Sequence, residues 1–529
     1  MAPNVLFCFS DQHSAQALGC YGNAQVRTPH LDALAAQGVL CRRAYAQNPI
    51  CTPSRMSFLS GQYCHNHGYY GLMGPRPARL PSLFSHLKRS GYRTGMAGKI
   101  HTPGGWLSAH CDFVADAYGH ESSVCGSPSP DAQGLQGTPD DAYQRFLDER
   151  GLGHLREDKV IPEWAARNPQ RVRGQGLDAR PSNLPPGHSV EDWIAQQTSE
   201  FIRGAASDKQ PFVCWMTMPR PHQTYIPDQR FWDLYDEASL TLPPNANDTV
   251  DARHSAAKTT QDFFQKGDDW RLFEPKDWES ARRRVLHGYY GCVSQVDDAV
   301  GQVMRTLDTL GLRENTLVIY SSDHGEFAGE HGLVEKAPGI GFHCVTRVPM
   351  IWSWPGHLPE GVVRDELAES VDVLPTICAL AGLEAPDWSD GSDITPLLTE
   401  GRALRTYAFT ENPLTKTIHS DRYKFTQYLP EMNSGVDFGE LFDLENDPWE
   451  MHNLYLDPAH QGVVQEMRLA LYCWLVRTTR NVTANPVFPA QDGSGWGDWD
   501  VAEYVRSEDG KIGPQITRQL IDQKQFNYL

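Results

Sequence analysis

The sequence lacks any run of roughly 20 apolar residues, the length that a membrane-spanning helix needs. It also lacks the basic segment and cleavage site of a secretory signal peptide, because an apolar stretch that ends at Asp11 begins directly after Pro3. We therefore expect a cytoplasmic protein with no membrane partner.

Positive charge is scarce in this sequence. It has 47 Lys and Arg residues against 66 Asp and Glu residues, which gives a formal net charge of −19. Nucleic acids and anionic membranes attract basic surfaces, so neither is an expected partner. Long sulfated polymers need extended basic tracks and are disfavoured for the same reason. The net charge does not exclude a small basic pocket that binds a small anion.

Paired cysteines are missing as well. The chain has 12 cysteines, but no two of them form a C-x-x-C pair. They stand at positions 8, 20, 41, 51, 64, 111, 125, 214, 292, 344, 378 and 473. Cysteines scattered in this way predict reduced thiols rather than a disulfide framework or a zinc site.

The sequence does contain enough apolar material for a large core. Of its 529 residues, 40% are hydrophobic and 21% are charged, as in an ordinary globular protein. This length predicts one large domain and a smaller one. Residues 103–186 are dense in Gly, Pro, Ser and Asp, which predicts an insertion that shapes the mouth of a pocket, with a helix around Asp140–Arg150.

Three continuous apolar runs predict strands that are buried on both faces of a parallel sheet. The runs are Asn4–Ser10, Pro211–Met218 and Thr316–Ser322. Helical patterns lie between them, at Thr28–Gly38, Leu80–Gly91, Ser189–Ala205 and Trp278–Leu310. This alternation predicts the α/β class, and we expect the last helix to be core without chemistry.

Polar residues follow each of these three runs. Asp11 and Gln12 follow the first run, His222 the second, and Asp323 and His324 the third. Proteins of the α/β class bind ligands at the carboxyl ends of parallel strands, so we expect these residues at the functional site. For His222, a hydrogen-bonded structural role is the alternative.

The segment around Cys51 predicts a turn that runs into a short helix. Pro53 suits the first helical turn, and Gly61 suits the helix end. Cys51 then lies at the helix N-terminus, where an anion or a thiolate is favoured, and Arg55 lies on the same helix face. The alternative is a buried free cysteine beside a helix-capping turn.

Several motifs resemble those of the sulfatase family in the alkaline phosphatase superfamily. They are T-P-H-L-D-x-L-A-x-x-G at 28–38, C-x-P-S-R at 51–55, G-K-x-H at 98–101, P-H at 221–222 and D-H-G-E-x-x-G-x-H-G-L-x-x-K at 323–336. The resemblance follows the order of the family and covers the chain from residue 4 to near residue 454.

The resemblance implies an alkaline-phosphatase-like architecture: a large, mostly parallel central sheet flanked by helices, with a smaller C-terminal α+β subdomain. We accordingly expect a catalytic domain over residues 1–400, a small subdomain with an antiparallel sheet and a helix over 401–480, and a tail over 481–529. The tail is rich in Gly, Asp and Gln with aromatic residues between them. We expect it to wrap a neighbouring subunit in a homodimer or a homotetramer.

The resemblance also implies the residues of an active site. The implied catalytic residues are Cys51, Arg55, Lys99, His101, His222 and Lys336. The implied ligands of one divalent metal ion are Asp11, Gln12, Cys51, Asp323 and His324. Carboxylate and amide oxygens suit Ca²⁺, Mn²⁺ or Mg²⁺, and His324 favours Mn²⁺ among them. Glu330 and His331 also carry metal-binding groups, but we expect them to order the loop.

In sulfatases the cysteine of C-x-P-S-R is converted into Cα-formylglycine, so we expect a formylglycine-generating enzyme as a partner. The resemblance implies that the hydrated formylglycine attacks the sulfur of a small sulfate ester, after the metal lowers the pKa of one hydroxyl. Arg55, Lys99 and Lys336 would hold the sulfuryl oxygens. His222 would protonate the leaving oxygen, and His101 would deprotonate the second hydroxyl so that sulfate is expelled.

The expected function is therefore hydrolysis of aryl sulfate monoesters through a covalent sulfo-enzyme intermediate. Gln12 supports an alternative, a phosphonate monoester or phosphodiester hydrolase with sulfatase side activity, because most sulfatases have Asp there and the Asp11-Gln12 pair occurs in phosphonate monoester hydrolases. Those hydrolases usually carry Tyr and Thr in place of Lys99 and His101, which would share a face of an extended chain. A third hypothesis is a non-catalytic anion-binding protein in which Cys51 stays a thiol.

Overall fold

The computed structural model describes residues 2–480, except for 73–79, 104, 118–141, 156–177, 251–256, 259–260, 262–276, 337–338, 414 and 431–436. The chain divides into two compact units, Met1–Leu471 and Tyr472–Leu529. The predicted tail and much of the predicted insertion at 103–186 lie outside the described residues. The domain boundaries expected at residues 400 and 480 stay a prediction.

A nine-stranded sheet forms the centre of the first unit. Its strands are β1 (Asn4–Asp11), β2 (Val39–Tyr45), β3 (Arg93–Gly98), β4 (Phe113–Asp116), β5 (Phe212–Pro221), β6 (Thr316–Ser322), β7 (Arg347–Val348), β8 (Met350–Ser353) and β9 (Val362–Glu369). The order is β4-β3-β5-β1-β6-β8-β2-β7, with β9 beside β2. Pairing is parallel from β4 to β6 and between β2 and β9, and antiparallel elsewhere.

The described helices include every predicted helix, to within a few residues at each end, together with several short ones that were not predicted. They are α1 (Pro29–Ala36), α2 (Cys51–Ser60), α3 (Cys64–His67), α4 (Leu83–Arg89), α5 (Ala142–Asp148), α6 (Val190–Asp208), α7 (Gln229–Trp232), α8 (Trp278–Thr309), α9 (His343–Thr346), α10 (Val373–Leu380), α11 (Thr395–Glu400) and α12 (Gln461–Thr478). Within the described ranges, none of these helices has both the length and the apolar character to cross a bilayer.

Side chains of β1 alternate between the two faces of the central sheet. Leu6 and Cys8 belong to a core that they share with side chains of α6 and α8. Phe7 and Phe9 point to the opposite face, where Phe58 of α2 packs edge-on against both rings at centroid distances of 5.5 and 4.8 Å. Helix α2 is thereby anchored on the strand that ends at Asp11.

The carboxyl ends of β5, β1 and β6 lie side by side. Ser10 of β1 pairs with Ser322 of β6, and Asp11 lies opposite Pro221 of β5 after a shift of register. The three apolar runs recognised in the sequence are therefore neighbours in the sheet. The polar residues that follow them meet at one edge, as expected for ligand sites in parallel sheets.

A second sheet contains four antiparallel strands in the order β10-β11-β12-β13. These strands are β10 (Ala408–Glu411), β11 (Thr415–His419), β12 (Tyr423–Tyr428) and β13 (Gly439–Asp443). Together, the mostly parallel central sheet, its flanking helices and this small sheet confirm the predicted α/β class and architecture.

Candidate active site

Two fully buried carboxylates, Asp11 and Asp323, lie where β1 and β6 end. Arg55 of α2 joins them, because its Nη2 donates to Asp11 Oδ2 at 2.8 Å and its Nε donates to Asp323 Oδ2 at 2.9 Å. The guanidinium carbon also lies 5.3 Å from the ring centroid of Phe9 and 5.5 Å from that of Trp215. Buried charges persist when they are paired and hydrogen-bonded, which this arrangement provides.

Arg55 makes two further hydrogen bonds to protein atoms. Its Nη1 donates to the Lys99 carbonyl at 3.0 Å and to Thr217 Oγ1 at 2.9 Å. Four of the five N–H groups of a guanidinium are thus directed at protein atoms. These contacts hold Arg55 against both carboxylates, and its expected role of holding the sulfuryl oxygens stays a prediction.

Cys51 is the first residue of α2, as the sequence predicts. Its Sγ lies 3.2 Å from His324 Nε2 and 3.7 Å from Asp11 Oδ1, and the residue is 1% exposed. Burial and the charge of Asp11 raise the pKa of the Cys51 thiol well above its usual value. Lost solvation and the neighbouring carboxylate thus oppose the preference of a helix N-terminus for a thiolate.

A four-residue cluster offers ligand atoms for one metal ion. Atoms of Asp11, Cys51, Asp323 and His324 all lie within 4.8 Å of one another. His324 Nδ1 donates to the Gly325 carbonyl at 2.9 Å, so the Nε2 lone pair is left for the cluster. Burial and the charge of Asp11 raise the pKa of Asp323 to about 7. A divalent cation between the carboxylates would remove this repulsion, so the donor set fits such an ion.

Gln12 is held at its backbone and at its side chain. Its φ of 63° lies in the left-handed region. The backbone N–H donates to Asp323 Oδ1 at 3.0 Å, and the carbonyl accepts from Tyr289 Oη at 2.9 Å. Helix α8 thus holds the backbone of Gln12 through Tyr289, which is a structural contact. The side-chain Oε1 accepts from Lys336 Nζ at 2.5 Å, and its role as a metal ligand stays a prediction.

Lys336 and His222 form a hydrogen-bonded pair. His222 Nδ1 donates to the Gln223 carbonyl at 2.8 Å, because a carbonyl can only accept. The lone pair of Nε2 then accepts from Lys336 Nζ at 3.0 Å. Burial, together with the charges of Lys336 and Lys99, holds the pKa of His222 well below its usual range. The imidazole is therefore neutral, and the proton between the two groups resides on Lys336.

Lys99 and His101 reach the site from the end of β3. Lys99 Nζ lies 2.6 Å from Asp11 Oδ2. The expectation that Lys99 and His101 share a face of an extended chain is wrong, because β3 ends at Gly98 and His101 has a left-handed φ of 43°. Burial and the charges of Lys99 and Arg55 hold the pKa of His101 well below its usual range. His101 is therefore a neutral imidazole beside the cationic groups of the site.

Three further residues at the site had no role assigned from the sequence: Gln223, Tyr225 and Glu326. Gln12 Nε2 donates to Gln223 Oε1 at 2.9 Å and also to Glu326 Oε2. Tyr225 Oη donates to Glu326 Oε2 at 3.1 Å. Glu326 stands inside the D-H-G-E motif, and this place beside two ligand residues is the signal that could have found it. Gln223 and Tyr225 carry no comparable signal.

The loop that leads to Lys336 is ordered by Glu330 and His331, as expected. Glu330 Oε2 accepts from Asn245 Nδ2 at 3.1 Å. His331 Nδ1 lies 2.8 Å from Asp248 Oδ2. Among the residues that the structure describes, neither side chain belongs to the four-residue ligand cluster.

The sequence matches two family descriptions. The family model of the sulfatases matches residues 3–383, and a model described as N-sulphoglucosamine sulphohydrolase, C-terminal, matches residues 329–474. An arylsulfatase of Clostridium perfringens is 27% identical over 484 residues, which cover 89% of this chain and 94% of that protein.

Solved structures show the same fold. A phosphonate monoester hydrolase of Agrobacterium radiobacter is similar with a TM-score of 0.70 and 23% identity, covering 89% of this chain and 96% of that one. A protein solved with its substrate D-glucosamine-2-N,6-O-disulfate is similar with a TM-score of 0.68 and 20% identity, covering 93% and 100%. Since the sulfatase match extends over well more than half of the residues, the chain belongs to the sulfatase family, a family of sulfuric ester hydrolases in the alkaline phosphatase superfamily.

Proposed function

We propose that this protein hydrolyses small aryl sulfate monoesters and that residue 51 acts as Cα-formylglycine. The observation that carries the proposal is the place of Cys51, whose Sγ lies beside His324 and Asp11 at the start of α2. A buried thiol with a raised pKa is a weak nucleophile. Hydrated formylglycine instead offers two hydroxyls, one to attack sulfur and one to release sulfate.

A divalent cation would be held beside residue 51 by Asp11, Gln12, Asp323 and His324. Ca²⁺, Mn²⁺ and Mg²⁺ all suit the oxygen atoms, and the imidazole favours Mn²⁺. When bound, such an ion supplies positive charge that lowers the pKa of a neighbouring hydroxyl.

The first step would transfer the sulfuryl group to residue 51. One hydroxyl of the hydrated residue loses its proton to water, and its oxygen forms a bond to sulfur while the bond from sulfur to the leaving oxygen breaks. The leaving oxygen keeps the electron pair of that bond and takes a proton from the pair formed by His222 and Lys336. Lys99 and Lys336 place positive charge beside the transferred anion.

The second step would release sulfate. His101 takes the proton of the remaining hydroxyl, the oxygen forms the C=O bond of the aldehyde, and the carbon–oxygen bond to the sulfate group breaks. A base must be unprotonated to act, and burial together with Lys99 and Arg55 keeps His101 neutral. Water then adds to the aldehyde and restores the hydrate.

Mass spectrometry of the peptide that contains residue 51 tests the modification, because formylglycine is lighter than cysteine. Protein produced together with a formylglycine-generating enzyme should contain the lighter peptide and hydrolyse phenyl sulfate. The Cys51→Ala variant is the matched control and should do neither. Full activity from protein whose residue 51 is entirely cysteine would contradict the proposed nucleophile. A modified, metal-loaded protein that cleaves no aryl sulfate would favour the anion-binding hypothesis.

A phosphonate monoester or phosphodiester hydrolase is the second candidate. It is favoured by the neutral amide of Gln12, which leaves the metal cluster one negative charge lighter than an Asp would. Both reactions transfer a tetrahedral oxyanion, so some activity on both substrates is expected. The ratio of kcat/KM for phenyl sulfate to that for a phenyl phosphonate separates the candidates: a ratio above one supports the sulfatase, and a ratio below one supports the alternative.

A further inference from the structure

Glu326 is a buried carboxylate that contacts Gln12 and has no part in the proposed mechanism. Glu326 is 1% exposed and accepts hydrogen bonds at both oxygens. Its Oε1 accepts from the backbone N–H groups of Ala328, at 3.0 Å, and of Glu335. Its Oε2 accepts from Tyr225 Oη, at 3.1 Å, and from Gln12 Nε2. The Glu326 carboxylate therefore links the amide of Gln12 to the loop that contains Lys336.

The amide of Gln12 fits its surroundings in one orientation. Both hydrogens of Nε2 are used, since this atom donates to Gln223 Oε1 and to Glu326 Oε2. On the other side, Oε1 accepts from Lys336 Nζ. A flipped amide would turn its oxygen towards the Glu326 carboxylate and its NH₂ towards the Lys336 ammonium, so both contacts would be lost.

We propose that Glu326 is a positioning residue that fixes the Gln12 amide and, through it, the ammonium group of Lys336. The same contact makes an amide the favoured group at position 12, because a carboxylate there would meet the Glu326 carboxylate with no hydrogen between them. This proposal rests on the proposed function for the role of the site. The contacts of Glu326 can nevertheless be tested without substrate.

The reciprocal exchange of Gln12→Glu and Glu326→Gln tests this proposal, because it keeps the number of atoms and reverses the direction of the hydrogen bond. Gln12→Glu alone should lower the melting temperature, since two buried carboxylates would face each other. Glu326→Gln alone should also lower the melting temperature, since a group that donates to the Glu326 carboxylate would meet the NH₂ group of the glutamine. The double variant should recover part of the loss, because position 326 can then donate to position 12, so its shift should be smaller than the sum of the single shifts.

Glu330→Gln is the matched control, because Glu330 is a buried carboxylate of the same loop that bonds Asn245 rather than Gln12. Combined with Gln12→Glu, it should give additive shifts and no recovery. A double variant with Glu326→Gln that melts no higher than Gln12→Glu alone would overturn the proposal. Equal recovery with Glu330→Gln would overturn it too.

A titration with Mn²⁺ gives a second measurement, which does not depend on Gln12→Glu folding. Residues that orient metal ligands typically change metal affinity by about 10–100-fold, so Glu326→Gln should weaken Mn²⁺ binding at least about tenfold. Glu330→Gln should leave the affinity unchanged. Wild-type affinity in Glu326→Gln would contradict the positioning role. Neither measurement involves a sulfate ester, so either can fail while the proposed hydrolysis holds.

Discussion

The two nitrogens of His222 have different tasks because each has a different neighbour. Nδ1 donates to the Gln223 carbonyl, so Nε2 is the atom that accepts the hydrogen bond from Lys336. Burial and the charges of Lys336 and Lys99 hold the pKa of the imidazole well below its usual range, so its doubly protonated form is disfavoured. A leaving oxygen that meets Nε2 would therefore draw, through His222, on the proton of Lys336.

Replacing His222 with Asn should slow cleavage in proportion to the leaving group's need for a proton. For a sulfate ester of a weakly acidic alcohol, kcat/KM should fall by about 10²–10⁴-fold, the usual contribution of a general acid. For nitrophenyl sulfate the fall should be much smaller, because that oxygen leaves as a stable anion. His287→Asn is the control, since His287 is a buried imidazole stacked on Trp232. Equal losses for both esters would contradict the role of His222.

The residues that meet at the site could be predicted because each lies in a short motif or directly after a recognisable strand. Their contacts could not be predicted. Gln12 bonds Gln223 and Glu326, which lie 211 and 314 residues away in the sequence. The raised pKa of the Cys51 thiol likewise depends on burial by the whole fold, whereas the helix dipole is a local effect. The catalytic roles assigned from the sequence stay predictions.

At the scale of elements, α2 shows which part of a helix its own sequence determines. Helix α2 ends at Gly61, as expected. Gly61 has a left-handed φ of 69°, and its N–H donates to the Ser57 carbonyl at 2.8 Å. All ten residues of the helix are buried, including the polar ones. Ser54 Oγ, for example, donates to the Asp323 carbonyl at 2.5 Å. Burial on all sides could not be predicted, because the polar residues of α2 suggest a solvent-facing side that the surrounding elements cover.

Helix α3 packs against α2 through His67, and this contact predicts a loss of stability in acid. His67 Nδ1 accepts from the Tyr69 N–H at 3.1 Å, so its Nε2–H is the group that donates to Ser57 Oγ at 2.9 Å. Burial lowers the pKa of His67 to about 3, below the value of about 6.5 in an unfolded chain. Between these pH values the unfolded state binds a proton that the folded state does not. His67 therefore costs stability as the pH falls below about 6.5, by up to about 1.4 kcal/mol per pH unit.

The His67→Gln variant should lose less stability than the wild-type protein when the pH is lowered from 7 to 5. Melting temperatures of both proteins at the two pH values measure the difference. Ser57→Ala is a useful control, because it removes the acceptor of the Nε2–H but keeps the imidazole and its titration. Identical pH dependence in wild-type protein and in His67→Gln would contradict the assigned protonation.

For the whole molecule, the apolar runs of the sequence predicted the fold class, but they did not predict every strand of the central sheet. Strands β1, β5 and β6 are buried on both faces and therefore have a clear sequence pattern. Strand β4 lies at the edge of the sheet, is four residues long and leaves Val114 41% exposed. Short edge strands owe their conformation to the neighbour with which they pair, so β4 could not be recognised among the surrounding Gly and Pro residues.

The expected assembly of subunits is also a property of the whole molecule. We propose a homodimer or a homotetramer in which the segment 481–529, outside the described residues, contacts a neighbouring subunit. Light scattering should give the full-length protein a mass of two or four chains, and a chain that ends at Arg480 a smaller number of subunits. Circular dichroism must show that the shortened chain is still folded. An unchanged number of subunits would contradict the proposal.

If residue 51 is converted into formylglycine, the burial of Cys51 limits when this can happen. An enzyme that modifies residue 51 must touch it, yet the folded chain leaves this residue 1% exposed inside a helix with no exposed residue. Conversion would therefore have to occur before α2 packs onto β1. A molecule that folds first would retain its thiol for the rest of its lifetime. The yield of active molecules would then depend on the rate of modification relative to the rate of folding, and not on the quantity of folded protein.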